Sequence, residues 1–262
     1  MLHVAACVMS LGTVLLRQVI TPATNSAVCN DGTPYMYYLA KGTTTNKWVF
    51  FQQGGSYCWN EASCTARKGD DSTQMSSRGL PSQLTLDAGI ISDSVSDNPY
   101  FATWNMVQLP YCTSDAFSGT VEQASWSSDL SFLGSRVIPS VVADLVANHG
   151  LVDSASTVVI YSGASAGAVG LYPNMDKLSS TLLPASRVVG VIDSGWFMDS
   201  APIAGTPPCD LSDPLKCTVL TNLQMGVAAW NPAVDADCAQ VRACPPSFSD
   251  LLRPSMTLHD LL

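Results

Sequence analysis

Val158-Val159-Ile160-Tyr161-Ser162-Gly163-Ala164-Ser165-Ala166-Gly167-Ala168 is the stretch that decides how this chain folds. Its apolar, β-branched run, closed by glycine, reads as a buried strand. It ends in small residues centred on one serine, with Gly163 and Gly167 two positions to either side. That is the G-x-S-x-G spacing of a nucleophile elbow. The serine must stand on a tight strand-to-helix turn, where bulky neighbours would collide with both flanking elements. The helix that follows offers its N-terminal N–H groups to negative charge. The N–H of Ala166 would then be one oxyanion donor. An amphipathic stretch through Val169, Leu171, Met175 and Leu178 supplies the required helix. The plainer alternative is a small-residue turn after a core strand, since five-residue patterns arise by chance.

Upstream, Tyr35–Leu39 and Lys47–Gln52 read as a hairpin whose second member, Trp48-Val49-Phe50-Phe51, is a buried strand. It runs into Gly54-Gly55-Ser56-Tyr57-Cys58-Trp59. A strand ending in Gly-Gly marks a place where the backbone approaches something closely. In α/β-hydrolases the second oxyanion N–H comes from such a loop after an early strand, and Gly55 and Ser56 occupy that place. The alternative is an ordinary glycine turn. Gln74–Gly89 is polar and reads as a surface excursion. Met106–Cys112 is a strand followed by the loop Thr113–Gly119. Leu130–Asn148 has helical periodicity, with Gly150 as a C-cap candidate. Arg187–Asp193 is a further strand, and Ser194–Phe197 a loop at its carboxyl end. Ligand sites of open α/β sheets lie at strand carboxyl ends. The segments Gly54–Tyr57, Thr113–Asp115, Ser165 and Ser194–Phe197 are therefore expected at one crevice. Thr218–Trp230 reads as a helix and Pro254–Leu262 as a last strand.

A chain of 262 residues, 47% hydrophobic and 13% charged, has ample material for one α/β domain and is not a disordered sequence. The formal net charge of -9 argues against a nucleic-acid partner and against a polybasic membrane contact. Nine cysteines, eight of them between Cys29 and Cys244, point to disulfides in an oxidising compartment. Zinc would need C-x-x-C spacing with histidine partners; the chain has three His and no such spacing, so no metal is expected. The ninth cysteine, Cys7, lies in the uncharged apolar run Leu2–Leu16, which resembles a secretory core ended by Arg17. It is short for a membrane-spanning helix. A buried first strand or helix is the other reading of that run. There is no Asn-x-Ser/Thr sequon.

Several of these stretches, in this order, resemble the pectin acetylesterase/Notum family of secreted serine esterases. They are Cys29-Asn30-Asp31-Gly32-Thr33-Pro34, Gly54-Gly55-Ser56-Tyr57-Cys58, Asn98-Pro99-Tyr100, Trp104-Asn105-Met106-Val107, Pro110-Tyr111-Cys112-Thr113-Ser114-Asp115, Ser118-Gly119, the serine elbow and Asp193-Ser194-Gly195-Trp196-Phe197. Met75-Ser76-Ser77-Arg78 and Asp193–Asp199 look closer to the animal Notum branch than to the plant enzymes. The resemblance implies an α/β-hydrolase-like fold, with a mostly parallel sheet flanked by helices, and carboxylic ester hydrolysis without a cofactor. It implies Ser165 as nucleophile, Gly55, Ser56 and Ala166 as oxyanion donors, and Gly54, Tyr57 and Phe197 as substrate contacts. It also implies the disulfides Cys29–Cys112 and Cys58–Cys64, and, more distantly, Cys209–Cys217 and Cys238–Cys244. The substrate would be an acetylated polysaccharide or an acylated protein, met outside the cell.

Two departures qualify that expectation. Ser56 stands where Notum carries a tryptophan, which removes a large apolar wall from a lipid pocket. In the family the acid and the histidine follow the serine in chain order, and the expected acid follows a strand that aligns with Pro254–Leu262. The division expected is a leader over 1–27 and an esterase domain over 28–262, incomplete at its C-terminus. The candidate bases within the chain are weak: His149 ends a helix, His259 lies in the terminal segment, His3 in the leader, and Asp193 reads as a turn cap. The alternative function is an inactive extracellular binding protein lacking the Asp and His. A third reading is a disulfide-rich interaction domain whose serine elbow is fortuitous.

Overall fold

The computed structural model describes residues 14–20, 26–85, 89–197 and 217–233. A seven-stranded sheet forms its centre. The strands are β1 (Val14–Val19), β2 (Met36–Ala40), β3 (Lys47–Gln52), β4 (Gln83–Thr85), β5 (Asn105–Leu109), β6 (Val158–Ala164) and β7 (Arg187–Asp193). Their spatial order is β4-β1-β2-β5-β3-β6-β7. β5, β3, β6 and β7 run parallel, whereas β1 is antiparallel to both β4 and β2, and β2 is antiparallel to β5. This is the mostly parallel, α/β-hydrolase-like sheet that the sequence motifs imply.

β3 shows why the parallel strands are apolar almost throughout. Trp48 and Phe50 enter the larger core on one face, with Tyr161 of β6, Val107 of β5 and helix α2 (Val137–Asn148). Val49 enters a smaller core on the other face, with Tyr38, Met106 and Ile160. A strand covered on both faces has no place for alternating polar residues. α2 contributes Val137, Ile138, Val141, Val142 and Leu145, all buried at helical spacing. It starts at Val137, after a short 3-10 turn, later than the periodicity over Leu130–Asn148 predicts.

Three expectations are corrected or displaced. β2 and β3 are not a hairpin, because β5 lies between them. The cause is local. Asn105, fully buried at the start of β5, donates its amide to the carbonyls of Thr44 and Lys47 and accepts from the N–H of Gly42. The 41–46 connection therefore arches over the end of β5 instead of turning tightly. A Cβ on Gly42 would come within 2.2 Å of the Thr103 carbonyl oxygen, so the arch closes only with glycine there. Second, Val14–Val19 is a strand paired on both sides, so the apolar run read as a leader core ends inside the sheet. Third, the 74–89 segment is not wholly a surface excursion. Ser77 is buried, its N–H donating to Thr33 Oγ1 and its hydroxyl to the Pro34 carbonyl, and Gln83–Thr85 forms the edge strand β4. The strand expected over Pro254–Leu262 lies outside the described residues, as does the part of the expected leader before Val14.

Candidate active site

β6 ends at Ala164, and the chain turns at once into helix α3 (Ala166–Val169), followed by α4 (Leu171–Asp176). Ser165, between strand and helix, has φ 51° and ψ −121°. A non-glycine residue avoids that region because its Cβ crowds the backbone, and strain of this order costs about 1–3 kcal/mol. The flanking glycines explain how the turn closes. A Cβ on Gly163 would lie 2.7 Å from the Gly167 carbonyl, and one on Gly167 only 2.3 Å from the carbonyl oxygen of Gln52. Strand β6, helix α3 and the end of β3 are thus in backbone contact around the serine. The Ser165 N–H donates to the Asp193 carbonyl at 2.9 Å, which ties the elbow to the end of β7. Gly195, just beyond, has no room for a side chain either: its Cβ would sit 2.5 Å from that of Ala168.

The double-glycine loop after β3 lies against this elbow. A Cβ on Gly54 would be 3.0 Å from the Cβ of Ser165 and 2.5 Å from the Ala164 carbonyl oxygen. Gly55 and Ser56 both have positive φ, 145° and 56°. Among the described residues, the N–H groups of Gly55, Ser56 and Ala166 donate to no backbone acceptor. Three backbone donors without a backbone acceptor thus lie in the elbow and in the loop that touches it, beside a half-exposed serine.

The other expected residues are distributed differently. Phe197 is half-buried against the main core, and its neighbour Trp196 is exposed. Tyr57 turns inward. It is 5% exposed and meets the Trp230 ring edge-on at 5.4 Å. Trp230, on helix α5 (Val219–Trp230), donates its indole N–H to the Cys58 carbonyl at 2.7 Å. Burial raises the Tyr57 phenol well above its usual range. In this structure Tyr57 is a core residue, not a lining one.

Thr113, Ser114 and Asp115 are likewise fully buried, so this segment stands behind the crevice. Asp115 accepts from the Thr113 hydroxyl at 2.7 Å, the Gly134 N–H at 2.7 Å and the Gly119 N–H at 3.2 Å. Burial outweighs these bonds and lifts its carboxyl to about 6. No base reaches Ser165 from the described residues. His149 caps α2 beside Asp144, 3.5 Å away, and its carbonyl accepts from Lys41. Lys41 follows β2, whose end pairs with the beginning of β5, so His149 lies at the amino-terminal end of the parallel strands, and the elbow at their carboxyl end. Asp193 accepts from the Ser194 hydroxyl at 2.9 Å. His3 and His259 lie outside the described residues.

One residue that sequence reasoning did not single out stands at the centre of these loops. Arg67 comes from α1 (Glu61–Asp70), a polar helix opened by a capping box between Asn60 and Ser63. Its guanidinium is buried, donating to the Gly55 carbonyl and, at 2.8 Å, to Ser114 Oγ. Burial pulls its pKa down from the usual arginine range. Two disulfides brace the same region, Cys29–Cys112 and Cys58–Cys64. Cys217 is disulfide-bonded, whereas Cys209, Cys238 and Cys244 lie outside the described residues. Among the described residues no group of three or more His, Cys, Asp or Glu is placed to hold a metal ion. None of the described helices is long and apolar enough to cross a membrane.

Residues 10–217 match the pectinacetylesterase family. The chain belongs to that family. Among its pectinacetylesterase relatives, the human palmitoleoyl-protein carboxylesterase NOTUM is 36% identical over 217 residues, 81% of this chain and 42% of that protein. The Schmidtea mediterranea palmitoleoyl-protein carboxylesterase NOTUM is 31% identical over 244 residues, 91% of this chain and 45% of its own. This member of the family thus spans under half the length of those curated relatives. Its fold is similar to the solved Wnt deacylase Notum from Drosophila, with a TM-score of 0.79 at 27% identity, covering 93% of this chain and 69% of that one.

Proposed function

We propose that this pectinacetylesterase-family protein is a serine carboxylesterase, with Ser165 as its nucleophile and an ester on an extracellular glycan or an acylated protein as its substrate. The observation that carries this reading is the strained, half-exposed Ser165 beside three backbone N–H groups that have no backbone acceptor. Ser165 Oγ attacks the ester carbonyl and passes its proton to a base. The tetrahedral oxyanion is held by the N–H groups of Ala166 and of Gly55 or Ser56. The C–O bond to the leaving alcohol breaks, the alcohol takes the proton, and water releases the acid from the acyl-enzyme. Disulfides support action outside the cell. Export would use the apolar N-terminal run as leader. A leader cut near residue 27 would take β1 with it, whereas one cut ahead of Val14 would leave β1 in the sheet.

Hydrolysis of nitrophenyl acetate, octanoate and longer esters by the wild type beside Ser165→Ala tests the reading. Loss of activity by about 10³-fold or more is expected for the variant. The chain-length profile then reports whether Ser56 leaves room for a long acyl group. A specific observation favours a second reading: among the described residues no histidine or carboxylate side chain is bonded to Ser165. A binding protein that keeps the pocket without a base would retain the esters and never turn them over.

A further inference from the structure

Arg67 is 8% exposed, yet among the described residues it makes no ion pair. Asp71 and Asp115 act on it only from beyond contact distance; taking a guanidinium out of water with no carboxylate in contact is costly, and a neutral side chain would fill the space. What the cation does is specific. Nε donates to Ser114 Oγ, which itself donates to the Gln74 carbonyl at 3.2 Å, and Nη1 donates to the Gly55 carbonyl. The ring of Tyr111 lies beneath it, 5.2 Å from the guanidinium carbon.

The Gly55 carbonyl and the Ser56 N–H belong to one peptide group. In a planar trans peptide the two point in opposite directions. Gripping the carbonyl from the α1 side therefore turns the N–H away from α1. Away from α1 the loop meets the elbow, where Gly54 touches Ser165, while Gly55 also packs beside Tyr111 and Gln74. Arg67 is held in place by the same helix face. Cys64 lies three residues before it, one helical turn away, and is bonded to Cys58 in the loop.

We propose that Arg67 is the positioning residue of the oxyanion site: by clamping the Gly55 carbonyl it aims the Ser56 N–H at the carbonyl under attack by Ser165. The proposal rests on the esterase reading above. The planar fork is needed because two bonds leave it in different directions, to two different loops. Lysine, a single point charge on a flexible stem, cannot make both. An aligned peptide N–H acts only when charge develops on the substrate oxygen, so the effect belongs to the transition state.

The test compares the full protein with Arg67→Met, Arg67→Lys and Ser165→Ala. Steady-state hydrolysis of nitrophenyl acetate is measured alongside the affinity of an alkyl boronic acid, which forms a tetrahedral adduct on a reactive serine. Direct removal of an oxyanion donor costs about 10²–10³-fold in kcat. For Arg67→Met a fall of about 30–100-fold in kcat is expected, with KM changed by less than about threefold and boronate affinity lost in parallel. For Arg67→Lys the fall is about tenfold, again confined to kcat and boronate affinity. A kcat and boronate affinity within about twofold of wild type, whatever happens to Tm, would make Arg67 a packing residue and overturn the proposal. So would a raised KM at unchanged kcat. If Arg67→Met does not fold, Arg67→Lys decides by the same criteria. A wild type that neither hydrolyses the ester nor binds boronate through Ser165 shows that the esterase reading has failed, and this proposal with it. An active wild type with indifferent Arg67 variants overturns the positioning role alone.

Discussion

The two halves of the sheet differ in how they treat their backbone. In the antiparallel half, β4-β1-β2, the described non-glycine positions all have negative φ. The parallel half, β5-β3-β6-β7, is followed at every carboxyl end by residues in the left-handed region. They are Ser56 after β3; Ser114, Ala116 and Phe117 after β5; Ser165 after β6; and Ser194 after β7. Among the described residues, the one other non-glycine residue with positive φ is Asn231, which caps α5. Strain that no local rule requires persists only where surrounding structure over-determines it. Here that surrounding structure is a set of backbone contacts, two disulfides and one buried guanidinium. The difference teaches where the molecule spends stability on geometry, and it singles out the crevice without reference to any catalytic group.

The comparison is open to attack at several points. Gly167→Ala should do the most damage, because its methyl group meets backbone at 2.3 Å and no side chain can swing aside. A loss of about 3–5 kcal/mol is expected in denaturant unfolding, with activity lost well before. A tolerated alanine would mean that the elbow is looser than its geometry. Asp115 should give a pH signature. Its carboxyl titrates at about 6 when folded, above the ordinary value of 3.8, so the folded state holds the proton more tightly than the unfolded chain. Its contribution is therefore present in acid and lost as pH rises through 6. Against Asp115→Asn, wild type should lose about 1.4 kcal/mol of relative stability between pH 5 and pH 7. A deficit that is flat with pH would mean the carboxyl is ionised throughout. The smallest effect belongs to the other half. Leu16 on β1 is 55% exposed, and Leu16→Thr should shift stability by no more than about 0.5 kcal/mol and leave hydrolysis untouched. A larger loss would show that β1 is covered by something else.

Much of the site-bearing half was legible in the sequence, because its signals are local. Two glycines around a serine, a Gly-Gly after an apolar strand, and strands too apolar to alternate each report their own surroundings. Pairing between strands is not local. Nothing in Tyr35–Gln52 announces that β5 enters between its two strands. The amide that forces this, Asn105, sits more than fifty residues away and reads as any strand-edge asparagine. The direction of Tyr57 was hidden for a similar reason, since its partner Trp230 arrives from the far end of the described chain. Arg67 was missed because an arginine on a polar helix ordinarily faces solvent. Its one clue was its place a turn after Cys64, on the face that a Cys58–Cys64 bridge would turn toward the loop. The strained torsions were illegible altogether, because serine and alanine stand where backbone geometry alone would select glycine.

That last point has an evolutionary edge at position 165. The torsions there belong to a region that glycine occupies freely. A population selected only for folding would drift toward glycine at that residue and grow sturdier as it did so. On the esterase reading the serine stays only as long as its hydroxyl is used, so its presence or loss across descendants of this chain would record whether that chemistry is in service.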